Sequence, residues 1–379
     1  MTTRRHVVVV GASQAGCACT NALRGLGFDG DITMVGAEPH PPYTRPPLSK
    51  GVLVGSEPDD SVFLPVPGDA EVLTGVGAIG LDREKNLVEL TTGDKLRYDG
   101  LVIASGARAR LLGDPGQGEI TLRGLDDAVA LRTSLAGARD VAVAGGGFLG
   151  MELASSAAAL GKSVTVVDVV TPLLSRLGPA LSALCLEAAA DHGVRVRVTG
   201  TGLRVGFTDG RPSRLTSADG TFSVDADLAV TAVGDVPNTE WLHGTGLPLE
   251  NGVVTDEACR VAPGIVAAGD VTSVRRDGGH VRTPHWSNAL SQAKIAAAAL
   301  LGREPERPAR GHVPFFWTEA FGLKIRLAGH LPPAGEPTVL EGSLAGRRAL
   351  LVWPGTAAAV NFPAPAPKLA KLAQQLPTH

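Results

Sequence analysis

At 379 residues the chain exceeds one ordinary domain and calls for two or three, and with 44% hydrophobic and 19% charged residues it is composed like a globular protein, not a disordered tail or a fibre. Its 35 basic and 38 acidic residues leave a net charge of −3, which excludes a global attraction to nucleic-acid or lipid phosphates, so any charged partner must be met locally. The four cysteines (Cys17, Cys19, Cys185 and Cys259) form no C-x-x-C pair and no zinc or iron–sulfur spacing, which fits a reducing cytoplasm.

In chain order, Arg4 and Arg5 precede four valines, a run too short for an export signal or for the roughly 20 apolar residues of a membrane span; it reads as a buried strand. The stretch VVVVGASQAG then predicts a glycine-rich turn, a helix through Leu26 and a second strand at Ile32–Val35. Gly11, Ser13 and Gly16 stand at the G-x-G-x-x-G positions of a dinucleotide-binding turn, with serine for the middle glycine, and Glu38 follows the second strand, where a carboxylate can accept from an adenosine ribose. Strand-to-helix junctions need glycines anyway, so this copy alone is a weak signal. From Tyr98, YDGLVIASGAR reads as a strand leaving the first unit.

The pattern returns at VAVAGGGFLG (141–150), with a helix through Leu160 and a strand at Val164–Val167. Gly145, Gly147 and Gly150 complete the fingerprint, and Asp168 ends the following strand at the expected distance. No Arg or Lys follows Asp168 before Arg176, so a 2′-phosphate would meet a carboxylate without a nearby cation, which favours NADH over NADPH. Glu152, on the first helical turn, either serves the nucleotide or complements the helix macrodipole. LAVTAVGDVPN (228–238) is the counterpart of YDGLVIASGAR. VAPGIVAAGDV (261–271) and a helix at Asn288–Leu301 return the chain to the first domain, where Asp270 either meets a flavin hydroxyl or caps a helix. A linker, Gly302–Pro314, precedes a small α+β segment whose last helix is expected at Lys368–Leu376.

The fold class expected is therefore α/β, with two Rossmann-like nucleotide-binding domains and a small α+β C-terminal domain. The boundaries are a discontinuous FAD-binding domain at 1–109 and 233–311, an NAD-binding domain at 110–232 and a C-terminal domain at 312–379. Two dinucleotide sites in one chain imply hydride passing from a nicotinamide to a bound flavin, hence NADH and FAD as cofactors.

The succession GASQAG, EPHPPYTRPPLSKG (38–51), IASGAR, GGGFLGME, AVGDVPN, AAGDV and FFWTEAFGLK resembles the FAD-dependent, NADH-using ferredoxin reductases of bacterial oxygenase systems, RPPLSK being its most specific piece. The resemblance implies the glutathione-reductase-type fold, with the C-terminal domain at the flavin's other edge. It implies that Arg45, Pro46 and Lys50 line the isoalloxazine, with Lys50 near N5, that Arg108 joins the flavin set, and that Trp286 and Trp317 flank the flavin or its exit path. The implied acceptor is a small iron–sulfur ferredoxin serving an oxygenase; because the net charge of −3 opposes an acidic partner, it is expected to dock on local basic residues, Arg275, Arg276, Lys324, Arg326, Arg347 and Arg348. An ammonium beside reduced, anionic flavin is chemically apt, though Lys50 also reads as a solvated loop lysine and each tryptophan as core.

Disulfide reductases of this fold carry a redox dithiol, whereas RPPLSK has no cysteine and Cys17 and Cys19 read as packing residues. The chain departs from the family at Ala320, where glutamine is usual, at Pro284, where an acid is usual, and in a shortened third domain. These departures bear on the acceptor and keep two alternatives open: reduction of a small molecule such as a quinone or biosynthetic intermediate, and a signalling flavoprotein related to the apoptosis-inducing factors, which no basic DNA-binding stripe supports.

Overall fold

In the computed structural model, which describes residues 5–276, 278–304 and 313–375, the valine run is the strand His6–Val10 within a six-stranded sheet. The order across the sheet is Arg260–Ala262, Ile265–Ala267, Gly100–Ile103, His6–Val10, Asp31–Gly36 and Glu71–Thr74, all pairs parallel except the first. Val7 and Val9 pack with Cys17, Cys19 and Leu23 of the helix Gln14–Gly25 and with Ala293 and Ala297 of the helix Trp286–Leu300, while Val8 and Val10 pack with Val88, Leu90 and Trp241 on the opposite face. A parallel sheet buried on both faces has no polar side to show, which is why its strands read as unbroken apolar runs.

The chain divides into two compact units, one of Met1–Thr44, Val62–Arg108 and Val236–Arg310, the other of Arg45–Ser61, Ala109–Asp235 and Gly311–His379. The second unit holds a five-stranded parallel sheet ordered Arg195–Val198, Ser163–Asp168, Asp140–Ala144, Leu228–Thr231 and Ile120–Thr121. Its helices are Leu125–Gly137, Phe148–Ala159 and Leu174–Asp191. Residues 45–61 are tied into this unit: Ser156 Oγ donates to the Ser49 carbonyl at 2.6 Å, and Arg132 reaches Asp59 at 2.7 Å and the Val52 carbonyl at 2.9 Å.

The expected third segment is a five-stranded antiparallel sheet, ordered Phe315–Ala320, Leu323–Gly329, Thr356–Val360, Arg348–Trp353 and Thr338–Ser343. The helix Ala366–Gln375 lays Leu369 and Ala373 against Ala328, Leu350, Val352, Ala357 and Ala359. It starts two residues before Lys368, because Pro365 precedes its first turn and its carbonyl accepts from the Lys368 amide. Leu376 and the linker positions 305–312 lie outside the described residues. Among the described residues no helix is long and apolar enough to cross a membrane.

Candidate functional site

In the first unit the turn after His6–Val10 is built for close approach. Gly11 has φ +119°, and a Cβ there would stand 2.0 Å from the Ala104 carbonyl oxygen; at Gly16 a Cβ would stand 1.9 Å from that of Gly11. The helix Gln14–Gly25 starts at an extended Ser13 whose hydroxyl does not cap it, donating instead to the Tyr43 carbonyl at 3.0 Å. The first-turn N–H groups therefore keep their capacity for an anion, as a pyrophosphate requires. Tyr43 in turn donates a short hydrogen bond to Glu38, which places that carboxylate beyond the second strand.

Asp270 comes to the same helix start by a different route. Buried Gln292 accepts from the Gly269 amide at 2.9 Å and the Thr272 hydroxyl at 3.0 Å, and a Cβ on Gly269 would stand 2.8 Å from Ala15 Cβ. The Asp270 carbonyl accepts from Arg282 at 3.0 and 3.2 Å. Trp286, 38% exposed at the head of its helix, donates its indole N–H to Gln14 Oε1 at 2.8 Å and Thr44 Oγ1 at 3.0 Å. Gly11, Ser13, Gly16, Asp270 and Trp286 thus gather at one helix start. Arg108 is held by Glu240 at 2.7 Å and Asn238 at 3.2 Å, and Asn238 is fixed by the Ser105 carbonyl at 2.9 Å.

The second unit repeats the turn with a sharper division of labour. Gly145 has φ +98°, with a Cβ position 2.4 Å from the Ala232 carbonyl oxygen, and at Gly150 a Cβ would stand 2.0 Å from that of Gly145. Gly147, the N-terminal cap of Phe148–Ala159, has φ −70° and no atom within 4 Å of its Cβ position. Among the described residues nothing crowds that position, so glycine there leaves the backbone bare beside the helix amides, where a nucleotide pyrophosphate would approach. Asp168 Oδ2 accepts from the Gly146 amide at 2.6 Å, while Oδ1 accepts from Val169 at 2.6 Å and Val170 at 3.2 Å. The carboxylate therefore braces the turn and keeps about one of its roughly four acceptor directions for a ligand. Val169 and Val170 beside it are 37% and 54% exposed.

Glu152 and Lys50, read separately from the sequence, form one ion pair at 2.6 Å. Glu152 is 8% exposed; its Oε2 also accepts from Ser49 Oγ at 2.7 Å, and its Oε1 from Thr318 Oγ at 2.8 Å and the Glu319 amide at 3.4 Å. A buried carboxylate with four donors from two distant chain segments is fully accounted for by the protein, so neither the macrodipole nor a nucleotide is needed to explain it. Arg45 donates to the Arg123 carbonyl at 2.7 Å, and Trp317, opposite Arg326 in the antiparallel sheet, stacks on Phe315 with ring centroids 6.2 Å apart. Ser49, Thr318, Gln14 and Tyr43 were not legible as site residues, since hydroxyl and amide side chains carry no spacing signal.

All four cysteines are buried and free, and burial pushes each thiol up to about 12, with Cys259 adding to the effect on Cys19 and Asp256 to that on Cys259. Neutral, inaccessible thiols do not exchange disulfides. Five of the six basic residues expected to dock a partner are engaged within the chain. Arg276 pairs with Glu257 at 2.6 Å, Lys324 with Glu319 at 3.3 Å, and Arg347 with Asp191, while Arg326 donates to the Ala364 carbonyl and Arg348 lies over the Phe362 ring. Arg275 has no partner among the described residues.

Residues 5–293 match the family described as pyridine nucleotide-disulphide oxidoreductase. Rhodocoxin reductase of Rhodococcus erythropolis is 37% identical over 352 residues, 89% of this chain and 81% of that protein. The ferredoxin–NAD(+) reductase subunit of the benzene 1,2-dioxygenase system of Pseudomonas putida is 36% identical over 356 residues, 91% of this chain and 85% of its own length. Among solved structures, putidaredoxin reductase in its covalent complex with putidaredoxin superposes with a TM-score of 0.87 at 28% identity, over 98% of this chain and 93% of that one.

Proposed function

The chain belongs to the pyridine nucleotide-disulphide oxidoreductase family, and from that premise we propose that it carries electrons from NADH through FAD to a small iron–sulfur ferredoxin that supplies an oxygenase. The observation that carries the reading is the pair of uncapped glycine turns, one at the head of each parallel sheet, in a chain whose thiols are all buried. Bound FAD supplies the conversion between two-electron hydride chemistry and the one-electron steps of an iron–sulfur acceptor.

The rest is positioning by the chain's own groups. The amides after Gly11 and the Asp270 carboxylate would hold FAD, and Trp286 locks the first helix to Thr44. The amides after Gly147 hold the NADH pyrophosphate. Asp168 uses its remaining acceptor capacity on a ribose hydroxyl and, with exposed valines beside it and no Arg or Lys following it before Arg176, repels a 2′-phosphate. Lys50 presents an ammonium kept in place by Glu152. In this assignment 1–109 and 233–311 form the FAD domain, 110–232 the NAD domain and 312–379 the C-terminal domain of a cytoplasmic enzyme.

A second reading, reduction of a small molecule such as a quinone, is supported by the internal pairing of the basic residues and by Ala320. Stopped-flow reduction by NADH, followed by mixing with a panel of acidic ferredoxins and quinones at two ionic strengths, separates the readings. Turnover of ferredoxins that slows as salt rises supports the first, because charges on both rims steer the encounter. Turnover of quinones alone overturns it in favour of the second.

A further inference from the structure

The first unit has a second concavity, at the end of its sheet away from the glycine turn. It is a cleft of about 490 Å3, reaching the start of the strand Ile265–Ala267 and the last residues of the helix Trp286–Leu300. That volume falls within the roughly 300–1,000 Å3 of small-molecule sites. Its walls set apolar Pro248, Val261, Pro263 and Leu300 beside polar Thr255, Asp256, Arg260 and Arg275, so a hydrocarbon stretch lies next to a small polar group.

The charged groups are few and unequally matched. The Asp256 carboxylate accepts from the backbone amides of Ala258 at 2.9 Å and Arg260 at 2.8 Å and stands 3.7 Å from the Arg260 guanidinium, so these two charges largely answer each other. Across the neighbouring hairpin, Glu250 pairs with His280 at 2.8 Å. Arg275 also lines the cleft and is exposed, and its guanidinium has no hydrogen bond or ion pair with any described residue. Thr255 lies in the same lining, 2% exposed, with a hydroxyl that has no partner among the described residues. One guanidinium without an ion-pair partner, next to the apolar part of the lining, matches a single negative charge on a partly apolar body; a phosphate, with more charge and more acceptors, would call for several donors.

We propose that this cleft binds a small organic carboxylic acid, its carboxylate forked by Arg275 and its hydrocarbon part against Pro248, Val261, Pro263 and Leu300. The site is separate from both glycine turns and does not depend on the identity of the electron acceptor.

Isothermal titration of the FAD-loaded full-length protein with hexanoate, benzoate, benzyl alcohol and inorganic phosphate tests this. Saturable one-site binding of hexanoate or benzoate is expected, with benzyl alcohol and phosphate at least about tenfold weaker. Arg275→Gln, an exposed change that leaves the core intact, should weaken carboxylate binding about tenfold or more, and Arg276→Gln, which removes only the Glu257 pair, should not. Ala262→Phe, which fills the cleft, should abolish binding. Absence of saturable carboxylate binding, phosphate binding as tightly as the carboxylates, or binding indifferent to Arg275→Gln would each overturn the assignment.

Discussion

Gly147→Ala distinguishes a glycine kept for a ligand from a glycine kept for the protein. Its φ of −70° and ψ of −175° are open to any residue, and no atom lies within 4 Å of the added Cβ. Loss of unfolded-state freedom favours alanine by about 0.4–1 kcal/mol, and the poorer N-cap opposes it by about 0.5–1 kcal/mol, so the two nearly cancel. The expected shift in Tm is therefore about 1–2 °C at most. The methyl group projects where the helix amides would receive a pyrophosphate, and losing even one charge-assisted contact there costs about 1.4 kcal/mol or more, a tenfold rise in KM for NADH.

Gly150→Ala is the contrast, because its Cβ would stand 2.0 Å from a backbone oxygen that cannot move aside, and its cost of about 3 kcal/mol falls on folding. Thermal unfolding of the FAD-loaded protein, beside steady-state turnover of NADH with an artificial dye, reads both quantities. An unchanged KM for NADH in a normally folded Gly147→Ala protein would refute the placement of the pyrophosphate on this turn.

Three further outcomes follow from the same geometry. Lys50→Met leaves the Glu152 carboxylate with two hydroxyls and the Glu319 amide as its donors and no cation; breaking a buried pair, discounted because the Lys50 side chain is 23% exposed, should lower stability by about 2–3 kcal/mol, against about 1 kcal/mol for Glu152→Gln. Denaturant midpoints measure this, a wild-type midpoint for Lys50→Met contradicts it, and the same variant should make the FAD potential more negative. Asp168→Asn should narrow the preference for NADH over NADPH by about tenfold in kcat/KM, since the carboxylate repels a phosphate of about −2 charge; an unchanged ratio would reduce Asp168 to a brace of its turn. Iodoacetamide at pH 8 should leave all four cysteines unmodified until the protein unfolds, because folding raises each thiol from 9.0 to about 12. The raised values make the corresponding stability fully present below pH 9.0 and lost as pH climbs from there towards about 12, so rapid labelling of the native protein at pH 8 would contradict the burial.

What the chain states locally, it states clearly. Four consecutive valines before Gly11, and the VAVA run before Gly145, can only be strands buried on both faces, and the glycines follow because a Cβ at either position would strike the neighbouring strand's carbonyl. The helix starts after Ser13 and Gly147, the strand ending at Asp168 and the alternation of the C-terminal sheet are legible for the same reason: the period of side-chain direction is written within ten residues. What the tertiary structure alone decides is which partner each polar group receives. Glu152 finds Lys50 and Ser49 102 and 103 positions back and Thr318 166 positions on, Asp168 turns back onto Gly146, and Arg347 is taken by Asp191 while the Arg275 guanidinium is left open beside a cleft. A carboxylate or guanidinium has the same donors and acceptors wherever it stands, so its type announces a capacity for charge and hydrogen bonding. The distances that fill that capacity are set by loop closures far longer than any sequence period.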